Sequence, residues 1–188
     1  VDIDNDGHLD YFVCNDDAVA RPYINDGTGK FNYQLDAINT SSITPSDNSG
    51  NYGSIWTDYD NDGDLDLYMS KCRLGVADPL DGRRINLMFE NDGLNNFTEV
   101  AAEIGLQPLK QSWNADFSDI DNDGDLDVFI IHHDVPSQLY ENIDNKFVDI
   151  SATAFPDNSL SQVNLGIQQK LVDFDNDGFL DLIMTGLD

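Results

Sequence analysis

Apolar residues along this chain come in short runs that are separated by strongly polar loops. Four runs, YFVC, LYMS, VFII and LIMT, begin at positions 11, 67, 128 and 182. They are rich in β-branched and aromatic residues and too short for helices, so they predict β-strands. Shorter apolar segments (SIWT, NADFS and KLV) stand before three of the polar loops and predict a second set of strands.

A second repeat lies between these runs and predicts hairpins. Each copy has an aromatic residue, an Asn two positions on, a short turn and then Phe; the copies are YINDGTGKF (Tyr23–Phe31), FENDGLNNF (Phe89–Phe97) and YENIDNKF (Tyr140–Phe147). Asn, Asp and Gly supply the turn conformations that tight hairpins require. One unit therefore reads as strand A, polar loop, strand B, variable loop, strand C, tight turn and strand D.

Four antiparallel strands in about 55–60 residues are the unit of a β-propeller blade. The sequence thus predicts an all-β fold, a single β-propeller segment over residues 1–188 with about three blades. Its approximate units are 1–50 (partial blade), 51–110 (blade), 111–162 (blade) and 163–188 (partial blade). Propellers close with about four to eight blades, so we expect further blades from a longer chain or from an oligomer. The segment Thr98–Leu106 could hold a turn of helix.

The polar loops are four nearly identical acidic segments, DIDNDGHLD, DYDNDGDLD, DIDNDGDLD and DFDNDGFLD, whose starts are 56, 61 and 54 residues apart. We call them acidic loops 1 to 4: Asp2–Asp10, Asp58–Asp66, Asp119–Asp127 and Asp173–Asp181. Self-similarity at such a spacing is the signature of a repeat architecture. The repeat therefore assigns one acidic loop to each unit, between strand A and strand B.

The acidic loops predict calcium sites, up to four in number. Four carboxylates within nine residues repel one another unless a cation lies among them, and calcium takes six to eight oxygen ligands in flexible geometry. The predicted side-chain ligands stand at loop positions 1, 3, 5 and 9: Asp2, Asp4, Asp6, Asp10, Asp58, Asp60, Asp62, Asp66, Asp119, Asp121, Asp123, Asp127, Asp173, Asp175, Asp177 and Asp181. Position 7 is predicted to bind through its backbone carbonyl; its residues are His8, Asp64, Asp125 and Phe179.

Two further invariant positions of the loop are given structural roles. Position 6 is always Gly, where the chain must turn sharply around the ion, and position 8 is always Leu, which we interpret as an anchor into the core. The loop is not an EF-hand, because that motif needs Glu at position 12 and flanking helices. Magnesium fits less well than calcium, since it prefers rigid octahedral geometry. The alternative is a set of four acidic turns that hold no ion.

Charge excludes several classes of partner. The chain has 9 basic and 36 acidic residues, a formal net charge of -27 and a hydrophobic content of 40%. This balance argues against nucleic acid and against anionic membrane surfaces, and it suits cations or basic partners. No run of 18 or more apolar residues is present, so we expect no membrane insertion. Pairing of Cys14 with Cys72 is left open.

The loop pattern D-x-D-N-D-G-x-L-D, together with the aromatic-x-Asn hairpins, resembles the FG-GAP/VCBS repeat family. That family includes integrin α-subunit-like and cartilage-acidic-protein-like calcium-binding blades. The resemblance implies a non-catalytic propeller, extracellular, secreted or at the cell surface, that works in adhesion or in binding a glycan or protein ligand. The FG and GAP tags of integrin blades are not evident, and the segment Cys72–Asn86 is an unusually long loop, so the partner is not carried over.

The predicted topology puts the B–C and D–A loops on the face opposite the acidic loops, and we expect the glycan or protein ligand there. The B–C loops carry five of the nine basic residues, and Arg73, Arg83 and Arg84 are the predicted ligand-binding residues, suited to an acidic glycan. The alternative is that these arginines pair with neighbouring acids.

His132, His133 and Asp134 could bind a transition metal, but adjacent side chains on a strand point to opposite faces. No convincing catalytic constellation is present. The remaining alternatives are an accessory or catalytic domain of a polysaccharide-degrading enzyme and an architectural repeat of a surface filament or adhesin.

Overall fold

The structure, a computed structural model, describes residues 1–38, 40, 49–163 and 166–186. Its strands are β1 (Tyr11–Val13), β2 (Arg21–Asn25), β3 (Phe31–Tyr33), β4 (Asn51–Thr57), β5 (Asp66–Lys71), β6 (Leu87–Asn91), β7 (Phe97–Glu99), β8 (Ser112–Ser118), β9 (Asp127–His132), β10 (Gln138–Asn142), β11 (Phe147–Asp149), β12 (Gly166–Val172) and β13 (Asp181–Gly186). One short helix, α1 (Ser151–Ala154), and two 3₁₀ turns, Leu35–Ala37 and Ser159–Gln162, complete the described elements.

The strands form four antiparallel sheets in chain order. Sheet 1 is β1-β2-β3, sheet 2 is β4-β5-β6-β7, sheet 3 is β8-β9-β10-β11 and sheet 4 is β12-β13. Within each sheet every strand pairs with its neighbour in sequence. The predicted all-β fold and the A–B–C–D order of the central units are therefore confirmed, and acidic loops 2, 3 and 4 each connect the first two strands of a sheet.

The core consists of apolar layers between consecutive sheets. Side chains along a strand alternate between the two faces of a sheet. On β5, Leu67 and Met69 accordingly belong to the cluster shared with sheet 1, whereas Tyr68 belongs to the cluster shared with sheet 3. The same alternation on β9 places Phe129 in the layer toward sheet 4 and its neighbour Ile130 in the layer toward sheet 2. Each central sheet is thus buried on both faces.

The predicted role of the Leu at loop position 8 is wrong in loops 1 and 2, where Leu9 is 70% exposed and Leu65 is 39% exposed. It is confirmed in loop 4, where Leu180 packs against a core cluster. In loops 1 and 2 the anchor is position 2, since Ile3 and Tyr59 are only 2% exposed and belong to the core clusters. In loop 4 the equivalent residue, Phe174, is 74% exposed because no described residues cover that face of sheet 4.

The segment after β7 turns without forming a helix. Residues 101–105 are a turn, in which the N–H of Ile104 donates to the carbonyl of Val100 at 3.0 Å, and Gly105 then takes a positive φ of 82°. The equivalent segment after β11 carries helix α1. Neither Cys14 nor Cys72 forms a disulfide. In the described part of the chain, no helix has the length and apolar character needed to cross a membrane.

Candidate metal centres

Each acidic loop is folded by its own carboxylates. The carboxylate at position 1 accepts hydrogen bonds from the backbone N–H groups of positions 5 and 6 in all four loops. In loop 2, for example, Asp58 accepts from Asp62 and Gly63, both at 3.0 Å. The carboxylate at position 5 then accepts from the N–H of position 7, at 2.8 to 3.1 Å across the loops. The loop is therefore a defined cradle rather than a loose acidic turn.

Two positions of the cradle take backbone conformations that most residues avoid. The Gly at position 6 has φ between 87° and 100° in the four loops, and no heavy atom lies within 4 Å of the place that a Cβ would occupy. Conformation rather than space thus requires Gly, which confirms the predicted sharp turn. The Asn at position 4 is left-handed in every loop, with φ between 57° and 63°, a role that Asn tolerates better than other non-Gly residues. Its invariance in the four loops was a signal that the sequence interpretation did not use.

The Asp at position 9 fastens the loop to the rest of its sheet. Asp66 accepts a hydrogen bond from the N–H of Tyr59 at position 2, at 3.2 Å, and another from the N–H of Asn91 at the end of β6, at 2.8 Å. Loops 1 and 3 repeat both bonds, with Asn25 and Asn142 as the donors from the third strand. These Asn residues are the ones that follow the aromatic residue in each hairpin repeat. A carboxylate in this position therefore organises the sheet as well as offering an oxygen to a cation.

Carboxylate oxygens from three residues of each loop converge to within 4.8 Å of one another. The groups are Asp2, Asp4 and Asp6; Asp58, Asp60 and Asp62; Asp119, Asp121 and Asp127; and Asp173, Asp175 and Asp181. Positions 1 and 3 belong to every group, and position 5 or position 9 completes it. The position-7 carbonyls of His8, Asp64, Asp125 and Phe179 stay a prediction.

Burial, together with the convergence of negative charge, raises the pKa of several of these carboxyls. Burial, with the charges of Asp60 and Asp62, raises the pKa of Asp66 to about 7, although two backbone amides oppose the shift. Burial and the neighbouring carboxylates Asp123 and Asp127 raise the pKa of Asp125 to about 6. The pKa of Asp4 is also raised, first by burial and then by Asp6. Ionised carboxylates in the cradle are thus under strain that a cation would relieve.

The cradle fits a hard divalent cation. The Oδ1 atoms of Asp4 and Asp60, both at position 3, are buried and have no hydrogen-bond partner. An unsatisfied buried oxygen costs free energy, and binding a cation is one way to satisfy it. All the converging donors are carboxylate oxygens, and calcium and magnesium prefer oxygen ligands. The residues present therefore match the predicted cation in donor type, charge and unsatisfied capacity.

The three arginines predicted to bind a ligand are engaged within the protein. Arg73 lies 2.9 Å from a carboxylate oxygen of Asp17 and also donates to the carbonyl of Asp16 at 3.0 Å. Arg83 forms two hydrogen bonds with Asp81, at 2.9 and 2.7 Å. Arg84 donates to the carbonyl oxygens of residues 76 and 77 at 3.0 and 2.9 Å. Arg73 and Arg83 therefore pair with neighbouring acids, as in the alternative interpretation, whereas Arg84 is bonded to carbonyl oxygens. Ligand binding by these arginines stays a prediction.

The histidine pair is divided between two environments. His132 is 1% exposed, and its ring nitrogens lie 2.9 Å from Ser112 Oγ and 2.9 Å from Gln138 Oε1. Burial lowers the pKa of His132 to about 4. His133 lies instead against Trp113, with 5.0 Å between the ring centroids. The two imidazoles therefore do not form one site, and Ser112, 0% exposed, is inaccessible as a nucleophile.

Comparison with known proteins supports the repeat assignment. A model of the FG-GAP-like repeat family matches residues 2–69 and 119–184, two segments that together contain all four acidic loops and more than half of the chain. No curated protein gives a significant match. The repeated cradles, the sheet order and the family match agree, and the chain belongs to the FG-GAP-like repeat family.

Proposed function

We propose that the chain is a calcium-binding β-propeller module that has no catalytic activity and presents a surface for ligand binding outside the cell. One observation carries the calcium part of the proposal: the same self-bonded cradle occurs four times, and in two copies a buried oxygen at position 3 has no partner. Four acidic segments with unrelated purposes would not share the same pattern of hydrogen bonds. The family match supports the propeller part, because FG-GAP repeats are propeller-like units.

The cation has a structural role in this proposal. Position 9 links each cradle to the third strand of its own sheet, and position 2 of loops 1 and 2 places Ile3 and Tyr59 in the layer shared with the next sheet. Neighbouring units are also bonded through the loops, since Asn61 Nδ2 donates to the carbonyl of Gly124 in loop 3 at 3.1 Å. A cation that orders the cradle therefore stabilises the contact between sheets. At free calcium a hundredfold above the dissociation constant, each site contributes about 2.7 kcal/mol.

Calcium is preferred over magnesium and an extracellular location over a cytosolic one. The converging carboxylates of each group come from one short loop and are exposed or half-buried apart from Asp127, so water can complete the irregular coordination that calcium accepts. Sites in extracellular modules bind calcium with dissociation constants of roughly 10⁻⁴–10⁻³ M. Such sites are filled where calcium is abundant.

The absence of catalysis is proposed from accessibility. In the described residues the close Ser–His contact, between Ser112 and His132, is fully buried, and Ser112 Oγ donates to the carbonyl of Lys110 at 3.1 Å. A substrate cannot approach that oxygen in the folded protein. The surface that remains available for function is one of loops and exposed strand edges, which supports binding.

Thermal unfolding tests the proposal directly. We expect the melting temperature to fall when calcium is exchanged for EDTA and to be restored by calcium much more effectively than by magnesium. The Asp60→Asn variant should lose part of this calcium response, because Asp60 brings the unpartnered oxygen to loop 2. Asp36→Asn is the matched control, an acid-to-amide change at an exposed position outside the acidic loops. Equal melting temperatures in calcium and EDTA would refute the calcium proposal.

A further inference from the structure

The first strands of sheets 2, 3 and 4 share an irregularity that the proposed calcium role does not explain. Each pairing of a first strand with its second strand shifts register near its start: between Asn51 and Gly53, between Ser112 and Asn114, and between Gly166 and Gln168. A β-bulge of this kind leaves one residue out of the ladder and re-aims its side chain. The residues at the three bulges are Tyr52, Trp113 and Ile167.

These three bulge residues meet in a single groove. It has a volume of about 410 Å³ and is lined by Tyr52, Gly53, Ser54, Trp113, Asn114, Ile167 and Gln168. A Cβ on Gly53 would lie 2.8 Å from the carbonyl oxygen of Trp113, so only Gly allows the first strands of sheets 2 and 3 to approach this closely. The groove is therefore built by the repeat itself, at equivalent positions of three consecutive units.

The lining combines an aromatic surface with neutral polar groups. The rings of Tyr52 and Trp113 are nearly parallel, with 6.4 Å between their centroids and 5° between their planes. Tyr52 is 43% exposed, so its ring is open to a ligand. Asn114 and Gln168 also line the groove, and their side-chain amides can both donate and accept hydrogen bonds. In size the groove lies within the range of about 300–1,000 Å³ for small-molecule sites.

The uncharged lining of the groove, on a strongly acidic chain, limits the class of ligand that the groove can bind. Among the described residues, no charged side chain lines the groove, although the chain as a whole carries 36 acidic residues and a net charge of -27. An acidic ligand would be repelled by the chain, and a cationic one would be drawn to the acidic loops instead. A pyranose has a face of C–H groups that packs on an aromatic ring, and hydroxyl groups around its edge that bind amides. A neutral sugar therefore matches each part of the lining.

We propose that this groove binds a neutral saccharide, with a pyranose ring against Tyr52 and its hydroxyl groups hydrogen-bonded to Asn114 and Gln168. The ligand differs from the acidic glycan expected at the arginine-bearing loops, although the groove lies at the same end of the sheets, where Arg73, Asp16 and Asp17 are close enough to act electrostatically on Tyr52. The inference rests on the proposed function only in that calcium keeps the sheets together. Binding is therefore measured in calcium, on samples whose folding is checked by their melting temperature.

Saturation-transfer NMR with four neutral trisaccharides tests the proposal: cellotriose, maltotriose, mannotriose and triacetylchitotriose, with trigalacturonic acid as the charged comparator. We expect saturable binding of at least one neutral trisaccharide at millimolar concentration. Tyr52→Ala should weaken it about tenfold, as loss of a central aromatic contact does, and Gln168→Ala should weaken it less. Tyr33→Ala is the matched control, because Tyr33 is an equally exposed tyrosine on sheet 1, at 51%.

Tryptophan fluorescence places the ligand. The chain has two tryptophans, and Trp56 lies in the core against Phe12, so a saccharide-dependent change that persists in Trp56→Phe comes from Trp113. No neutral trisaccharide binding to a folded, calcium-loaded sample would overturn the proposal, as would binding that survives Tyr52→Ala and Gln168→Ala. Preferential binding of trigalacturonic acid would overturn it too. If the calcium proposal is wrong, a different measurement shows it: the melting temperature will be the same in calcium and in EDTA.

Discussion

Replacement of Asp66 by Asn is predicted to lower the free energy of unfolding in calcium, and to leave it nearly unchanged or raise it when calcium is removed. The Asp66 carboxylate is 0% exposed, accepts two backbone hydrogen bonds and lies among the acids of loop 2. Without a cation its pKa is raised to about 7, so above that pH the ionised group costs the folded state free energy. With a cation bound, the same charge is stabilising. Asn keeps the shape of Asp and removes the charge, so it separates the two situations.

The magnitudes follow from the contacts. In calcium at about pH 8, Asp66→Asn loses the contribution of a filled site, about 2.7 kcal/mol, and one charge-assisted hydrogen bond, about 1.5 kcal/mol, a total of about 4 kcal/mol. For a chain of 188 residues, this loss lowers the melting temperature by roughly 8–16 °C. In EDTA the lost hydrogen bond is offset because the buried charge and its repulsion with Asp60 and Asp62 are removed, so the change is a gain of stability or a loss of less than about 1 kcal/mol.

The assay is urea unfolding of both chains in calcium and in EDTA. Asp181→Asn is the matched variant, because Asp181 occupies position 9 of loop 4 but is exposed and accepts a hydrogen bond from Phe174 with no third-strand partner among the described residues. Its effect in calcium should be clearly smaller than that of Asp66→Asn. An equal loss of stability for Asp66→Asn in calcium and in EDTA would refute the reasoning, since the carboxylate would then act through its backbone hydrogen bonds alone.

Three further predictions concern single residues. His132 has a pKa of about 4 in the folded state against about 6.5 in the unfolded state. Its stabilising contribution is therefore present above pH 6.5 and is lost as the pH falls toward 4. Between pH 7 and pH 5 the free energy of unfolding should fall by about 2 kcal/mol because of this residue. His132→Gln should remove this part of the pH dependence and His133→Gln should keep it. Gly124→Ala should cost about 1–2 kcal/mol in thermal unfolding through its φ of 100° alone, as its Cβ meets no atom. Arg73→Ala should cost less than about 1 kcal/mol in urea unfolding, because its partner Asp17 is 82% exposed.

Each of these predictions has a contrary result. An unchanged pH dependence in His132→Gln would mean that the buried imidazole is not the titrating group. Full stability of Gly124→Ala would mean that the loop has another accessible conformation. A loss of several kcal/mol in Arg73→Ala would mean that Arg73 holds the loops of sheets 1 and 2 together more strongly than an exposed ion pair does.

The strands and their order could be predicted because the sequence repeats. The apolar run LYMS falls inside β5, and the hairpin that begins at Phe89 and ends at Phe97 joins β6 to β7. The starts of the first strands were less visible. Strand β4 begins at Asn51, three residues before the predicted SIWT segment, because a bulge around Tyr52 interrupts the alternation that the interpretation relied on.

The sequence predicts which residues form the candidate site, but it does not predict the structural role that each loop position has. Carboxylates at loop positions 1, 3, 5 and 9 indicate cation ligands. Local spacing cannot show that Asp66 accepts a hydrogen bond from Asn91 on another strand. The same limit explains the error at Leu65. An invariant apolar residue next to a strand suggests an anchor, which led to the prediction for Leu65. The buried residue is Tyr59 instead, whose N–H donates to Asp66 and whose side chain packs in the layer shared with the next sheet.

The groove at the bulge residues could not be predicted from the sequence. Tyr52, Trp113 and Ile167 have different side chains and stand in different units, and no motif relates them. They meet because three sheets pack in series and each first strand bulges at the same place. Long-range packing of this kind decides where a ligand can bind, and only the structure shows it.

Direct measurement of bound calcium is the most decisive experiment for the central claim. Equilibrium dialysis against calcium at about the millimolar level, followed by elemental analysis, gives the number of ions per chain under conditions that fill extracellular sites. We expect close to four ions per chain, one for each acidic loop, and one fewer when Asp119 and Asp121 are both replaced by Asn. A chain that retains no calcium, or whose calcium content is unaffected by that double substitution, would contradict the central claim.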